Sequence, residues 1–399
     1  MKKWIFMLLA LATMTLAFAS CGKSYITVEY IADDTVFKTV SLDQNGRLER
    51  LNETPEKEGY FFGGWYYDNG TWERPFDVGE FNYDWKGGSY KVYAKWEVVE
   101  LTLADDSRSY IVSKLLSGAG ENVVIPSHHA NLPVATIGDA VFRGKTNLLS
   151  VTIPDTVKYI GDYAFEGCTA LTTVTMPNSV LETGVGAFEG CTALSSIRFS
   201  VNLETVGARS FAGCTALEEI TLPKSVKTIG GSAFYDCTGL TAIELPKYLD
   251  TIGPRAFGNC TGLTAVSIPD FVTEIEEYAF EGCSSLSSVT FGEKSSLEML
   301  CRGAFGGTAI KELTLTHKLI VIYGGAFSGM TALEKLTFAG AYLIDDDIME
   351  GTPLTTLHFS GTKETFEAQI KGENWYRNSV GNVTSVVCSD GTVTVSAAE

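Results

Sequence analysis

The chain has 399 residues, a formal net charge of −18, 45% apolar residues and 9 cysteines. That length allows two domains and a sizeable core. The acidic balance, with no basic stripe in it, excludes a nucleic-acid partner, because nothing would release the counterions of a phosphate backbone.

Met1-Lys2-Lys3 is a positive leader, and Trp4 to Leu16 is an apolar run too short for a comfortable membrane span. Small residues lead on to Cys21. The segment reads as a signal peptide over 1–20, with 21–24 as anchor and linker. Phe18-Ala19-Ser20-Cys21 resembles a lipobox, with Phe18 where leucine is usual. The resemblance implies that Cys21 is lipidated and that the protein is an outer-membrane lipoprotein of the cell envelope, displayed at the surface. Two alternatives stay open: cleavage after Ala17-Phe18-Ala19, and an uncleaved anchor. Gly22-Lys23-Ser24 carries no acidic run, so surface and periplasmic orientations both stay open.

Residues 25–98 form a separate, aromatic-rich segment. Alternation in Tyr25–Tyr30 and Ser89–Trp96 predicts strands, while Gly59, Gly63-Gly64 and Asp68-Asn69-Gly70 predict turns. A domain this small needs large side chains to fill its core. A sugar-stacking platform is the other use for such rings. The order Pro55, Gly59-Tyr60, Phe62, Gly64-Trp65, Phe76-Asp77 and Tyr93-Ala94-Lys95-Trp96 resembles the Listeria–Bacteroides repeat. That resemblance implies a small β-grasp-like module of bacterial surface proteins, here a spacer between membrane and the rest of the chain.

From about Val123 to Phe359 a 23-residue unit recurs. Its firmest mark is Phe142, Phe165, Phe188, Phe211, Phe234, Phe257, Phe280, Phe305 and Phe327, at six intervals of 23, then 25 and 22. A leucine follows most of these six residues on (Leu148, Leu171, Leu194), then an apolar residue such as Val151 or Ile220, then another such as Ile153 or Leu222. The last two alternate with polar positions, as a strand with one buried face requires. A proline often stops that strand (Pro154, Pro177, Pro223). A second apolar pair such as Val157 and Ile160 follows, a glycine turns the chain (Gly161, Gly184, Gly207), and a short segment read as a helical turn ends on Ala-Phe. One unit cannot bury its own apolar side; stacked units bury it against each other. Ten rungs at strand spacing would span roughly 45–50 Å.

The L-x-x-L-x-L spacing resembles the BspA-type leucine-rich repeat family. The resemblance implies a right-handed solenoid with strands along one face, in cell-surface or secreted proteins linked to binding and adhesion. The expected fold is therefore a β-rich repeat protein: a leucine-rich-repeat solenoid of about ten units over 99–360, after a small β-grasp-like domain and before a C-terminal cap over 361–399.

The entry, Leu101 to Ala140, holds a five-residue excess that reads as an exposed loop carrying His128 and His129. Adjacent histidines point different ways, and no metal partner stands at ligand spacing. Cys168, Cys191, Cys214, Cys237, Cys260 and Cys283 each lie three residues after a repeat phenylalanine. Equivalent slots hold Lys145, Thr308 and Met330, so the column reads as buried free thiols acting as small hydrophobes; oxidation between rungs stays open. Cys301 and Cys388 lie off the column. At the far end Thr362 to Ile370 predicts a short helix, and Val386–Cys388 with Val393 and Val395 across Asp390-Gly391 a closing hairpin.

No catalytic constellation is found, so no enzyme, cofactor or metal is expected. Gly138 to Thr146 has five residues between its glycines where a phosphate loop has four, and Phe142 inside it belongs to the core. Asp345-Asp346-Asp347 lacks the spacing of a calcium loop. The outward strand positions are the expected ligand face: Thr152, Thr175, Arg198, Glu219, Thr221, Glu244, Ser267 and Thr290. Threonine is also simply a good exposed strand residue. Asp34-Thr35-Val36 and Asp155-Thr156-Val157 resemble the short O-glycosylation motif of Bacteroidetes proteins. Together these readings predict a monomeric, lipid-anchored envelope protein that binds an extracellular protein or glycan in adhesion. Glycan capture for polysaccharide uptake, and a structural scaffold without a ligand, are the alternatives.

Overall fold

The computed structural model describes residues 26–42, 47–49, 51, 53–69, 72, 74–76, 78, 88–338, 343–344, 347–370 and 383–394. The expected signal peptide, Cys21, Asp345-Asp346 and Val395 lie outside them. Two compact units are present, one of residues 1–55 and 62–95, the other of residues 56–61 and 96–399.

The first unit is built on a four-stranded sheet in the order Thr35–Ser41, Ile26–Ala32, Gly88–Glu97, Phe61–Tyr66. Alternation in Ile26–Ala32 buries Val28 and Tyr30 on one face, where they meet Leu48 and Val92. The Tyr30 ring lies edge-on to Trp65 at 4.9 Å and to Phe76 at 5.8 Å, so these aromatics serve as core. Burial pushes the Tyr30 hydroxyl up to about 12.

The second unit is a β-solenoid of about eleven turns, one more than the repeat count gives, because the entry segment also makes a turn. Strands Ser150–Thr152, Thr173–Thr175, Ser196–Arg198 and their successors form the first ladder, as their alternation predicts. A second ladder corrects the expectation of strands along one face. Two-residue strands at Tyr159–Ile160, Glu182–Thr183, Thr205–Val206 and onward pair in parallel and, with the longer strands of the entry segment, make a continuous sheet of thirteen strands. The first ladder is the interrupted one, divided into sheets of two, two, four and five strands. Ile160 and Val206 point inward from the second ladder and are buried.

The third side is a run of tight turns rather than an α-helix, and it too is tied rung to rung. Phe142 N–H donates to Ala164 C=O and Phe165 N–H to Ala187 C=O, at 2.8 and 2.7 Å. The phenylalanines stack almost parallel along the axis, with centroids from 4.7 Å (Phe142–Phe165) to 5.6 Å (Phe280–Phe305) apart. All nine are fully buried, each contributing roughly 1.5–3 kcal/mol of transfer free energy.

The repeat glycines do a different job from turning. Gly161, Gly184 and Gly207 are not left-handed; a Cβ on Gly207 would lie 2.1 Å from the Thr183 carbonyl oxygen of the preceding rung. They let two backbones approach. The left-handed residue comes two positions later, at Tyr163, Gly186, Arg209, Ser232, Arg255, Tyr278, Gly303 and Gly325 (φ 55 to 71).

Both ends of the solenoid carry antiparallel pairs. Val99–Leu103 pairs with Tyr110–Leu115, and Ser385–Cys388 pairs with Gly391–Thr394 across the turn Ser389-Asp390. The expected helix forms as Lys363–Ile370 and buries Phe366, with Thr362 Oγ1 accepting from Thr365 N–H at 3.2 Å as its cap. The anticipated histidine loop is instead a tight hairpin: His128–His129 pairs antiparallel with Leu132–Ile137. The two rings do diverge. His128 is exposed, whereas His129 lies edge-on to Tyr110 at 4.8 Å and 5.4 Å from Phe61.

Candidate functional site

The solenoid interior is filled, so its chemistry lies on the outside, in columns that repeat once per rung. Thr152, Thr175, Arg198, Thr221, Glu244, Ser267 and Thr290 form one such column on the first ladder. Glu219 stands one column over, on the rung of Thr221. All eight are exposed. Their strands are so short that the register is set by the buried residue between two exposed ones, Val174 between Thr173 and Thr175 for example.

At the corner after this ladder a hydroxyl usually staples one rung to the last. Thr156 Oγ1 donates to Val134 C=O at 2.8 Å, Ser179 to Val157 C=O, and Ser225 to Leu203 C=O at 2.7 Å. The Thr156 hydroxyl of the second glycosylation-like motif is thus engaged in the fold, and Thr35 in the first, though exposed, donates its hydroxyl to Ala32 C=O at 2.9 Å. On two successive rungs the corner slot holds Tyr248 and Phe271 instead. Both are about half exposed, and their rings touch each other at 5.4 Å. Lys247 Nζ lies 5.4 Å from the Tyr248 ring centre. Nothing in the core needs these aromatics. Sequence reading missed them, although the break in a Thr/Ser/Asn/Ser column was the signal.

A groove of about 1070 Å³ opens on the third side, lined by Glu274, Glu276, Glu277, Tyr278, Glu281, Arg302, Tyr323, Asp347 and Glu350 over a glycine floor. Its lining has six carboxylates and one arginine. Burial first, then the neighbouring Glu274 and Glu277, raises the Glu276 carboxyl above its ordinary range. Cys301, which the sequence left without a role, donates its thiol to Glu274 Oε1 at 2.8 Å. Burial and that carboxylate push the thiol up to about 12, so it stays protonated at neutral pH. The groove therefore gathers negative charge without an activated nucleophile. Among the described residues no group of His, Cys, Asp and Glu is placed to hold a metal ion.

The column cysteines also have a defined geometry. Each donates to the carbonyl of the phenylalanine one rung back, Cys168 to Phe142 at 3.1 Å and Cys283 to Phe257 at 3.0 Å. All six are buried free thiols.

Stacked rungs, a filled apolar axis and exposed side-chain columns define a leucine-rich-repeat solenoid. The chain belongs to the BspA type leucine rich repeat family, whose model matches six copies over residues 135–264 and 250–371. Among solved structures it is similar to the Treponema pallidum leucine rich repeat protein, at 30% identity over 53% of this chain and 86% of that one, with a TM-score of 0.41. A leucine rich cell surface protein from Faecalibacterium prausnitzii is 24% identical over 68% of this chain and 95% of its own, with a TM-score of 0.36. The pneumococcal vaccine antigen PcpA is 17% identical, covering 74% and 100%, with a TM-score of 0.39. No curated protein matches the chain.

Proposed function

We propose that this is a lipid-anchored protein of the cell envelope whose solenoid binds a protein or glycan in adhesion at the cell surface. The observation that carries the reading is the column from Thr152 to Thr290, exposed at one residue per rung on rigid backbone. A broad, regular, polar surface suits contact with a large ligand and costs little entropy to order. Family membership supports a binding role by analogy. Lipidation at Cys21, a spacer module over 25–98 and a monomeric state complete the proposal. No helix among the described residues is long and apolar enough to cross a membrane.

A pull-down and a glycan-array screen with residues 22–399 test it. Capture of a specific ligand in either, reduced when the Thr152–Thr290 column is altered, supports the reading. Silence in both overturns it.

The Tyr248–Phe271 pair favours glycan capture as a second reading. Exposed rings beside polar strand residues are the surface on which sugar faces stack, and here they replace side chains that would otherwise staple the corner.

A further inference from the structure

We propose that the acidic groove on the third side of the solenoid is a docking site for an arginine-bearing peptide segment of a protein partner. This rests on the reading of the solenoid as a binding surface and names the partner's chemistry at one place on it.

Two columns flank the stacked phenylalanines. One holds the left-handed residue two before each phenylalanine, the other the residue just after it. On three pairs of rungs these columns supply an internal guanidinium–carboxylate pair. Arg143 Nη2 donates to Glu166 Oε1 at 3.0 Å, Arg209 Nε to Glu189 Oε2 at 3.0 Å, and Arg255 Nη1 lies 3.6 Å from Glu281 Oε2. In two of them the guanidinium also covers a tyrosine, Arg143 over Tyr163 at 5.7 Å and Arg255 over Tyr278 at 4.6 Å. The surface thus shows which ligand chemistry its side chains accept.

Then the pattern is interrupted. The next two rungs hold Gly303 with Gly306, and Gly325 with Ser328, so three of the four positions carry no side chain and the fourth only a short hydroxyl. The rung beyond carries Asp347 and Glu350, both exposed. Among the described residues neither carboxylate has a cation within ion-pair distance. The groove is this two-rung gap, with Tyr278 and Glu281 as one wall and Asp347 and Glu350 as the other. Three rung steps make it roughly 14 Å long, room for about four residues of extended peptide. Arg302 in the lining and Arg255 on Glu281 are the two guanidinium groups set against its six carboxylates. Burial is the first cause of the raised Glu276 carboxyl and the neighbouring Glu274 and Glu277 the second, and an incoming cation would relieve the second. Guanidinium fits better than ammonium, because it can fork a carboxylate and lie flat on Tyr278 or Tyr323 together.

The test is fluorescence anisotropy with full-length protein in nonionic detergent and three labelled octapeptides, rich in arginine, lysine or serine. The expected result is saturable binding of the arginine peptide, at least fivefold weaker binding of the lysine peptide and no binding of the serine peptide. Asp347→Asn with Glu350→Gln should weaken the arginine peptide at least tenfold. Ser328→Arg, which fills the gap from within, should do the same. Asp105→Asn with Glu121→Gln removes equal charge near the solenoid entry and should change affinity less than twofold. Circular dichroism confirms that each variant is folded; Ser328→Arg leaves both carboxylates in place and guards against a folding artefact in the double variant.

Equal affinity in wild type and the Asp347/Glu350 variant overturns the site and leaves only attraction to a net-negative protein. Equal affinity for arginine and lysine peptides overturns the guanidinium assignment. Calcium binding by calorimetry that is lost in the same variant and displaces the peptide would assign the groove to a metal instead. If no peptide binds while the pull-down still captures a ligand, the groove proposal falls and the binding function stands.

Discussion

The thiol of Cys214 donates to the carbonyl oxygen of Phe188, 3.2 Å away on the preceding rung. Each column cysteine repeats that bond, so the thiols are staples as well as filling. Burial keeps them protonated: Cys237 and Cys283 are both pushed up to about 12 from an ordinary 9.0. The unfolded chain therefore gives up these protons first. Their contribution is complete below pH 9 and is lost as pH rises toward 12, at about 1.4 kcal/mol per thiol per pH unit. Urea midpoints should fall steeply between pH 9 and pH 10.5, and less steeply in Cys237→Ala with Cys283→Ala. An unchanged midpoint across that range would contradict the buried-thiol account.

Ser210 occupies the slot that alanine fills on neighbouring rungs, at Ala187 and Ala233. It is fully buried, and its hydroxyl meets no partner among the described residues. Such a group costs about 1–3 kcal/mol. Ser210→Ala should raise stability by roughly 1 kcal/mol in denaturant unfolding; a loss of stability would show that the hydroxyl is satisfied.

Tyr248 stands where Ser225 staples the corner one rung earlier. Tyr248→Ser should leave stability unchanged or raise it by about 0.5 kcal/mol, by adding a hydrogen bond to the Val226 carbonyl. If the ring serves ligand binding, the same change should reduce glycan retention at least tenfold. Lost stability with intact retention would make Tyr248 structural.

Cys21→Ala should move the protein from the membrane fraction to the soluble fraction of fractionated cells, because a diacyl-anchored chain loses most of its membrane affinity with its lipids. Retention of the variant in membranes would remove the lipobox reading.

Much of this molecule is legible along the chain because each rung repeats the same burial. Phe165, Cys168 and Leu171 recur every 23 residues, and every copy faces the axis. The eight outward residues from Thr152 to Thr290 were legible for the same reason, since a short strand that buries Val174 must expose its two neighbours. The second ladder was not legible. A two-residue strand such as Tyr159–Ile160 has no alternation to read, and its pairing comes wholly from the rungs beside it. The histidine hairpin escaped for a similar reason: two paired residues look like any polar insertion.

The repeat, its apolar axis and the column of cysteines are written along the chain, because burial at a fixed period leaves a trace in residue type. Which surface residues share a neighbourhood depends on how the rungs stack. Gly303, Gly325 and Asp347 are ordinary exceptions to a pattern when read singly. Stacking sets positions about 23 residues apart side by side at the spacing of one strand, and only then do two rungs of missing side chain become a groove walled by carboxylates.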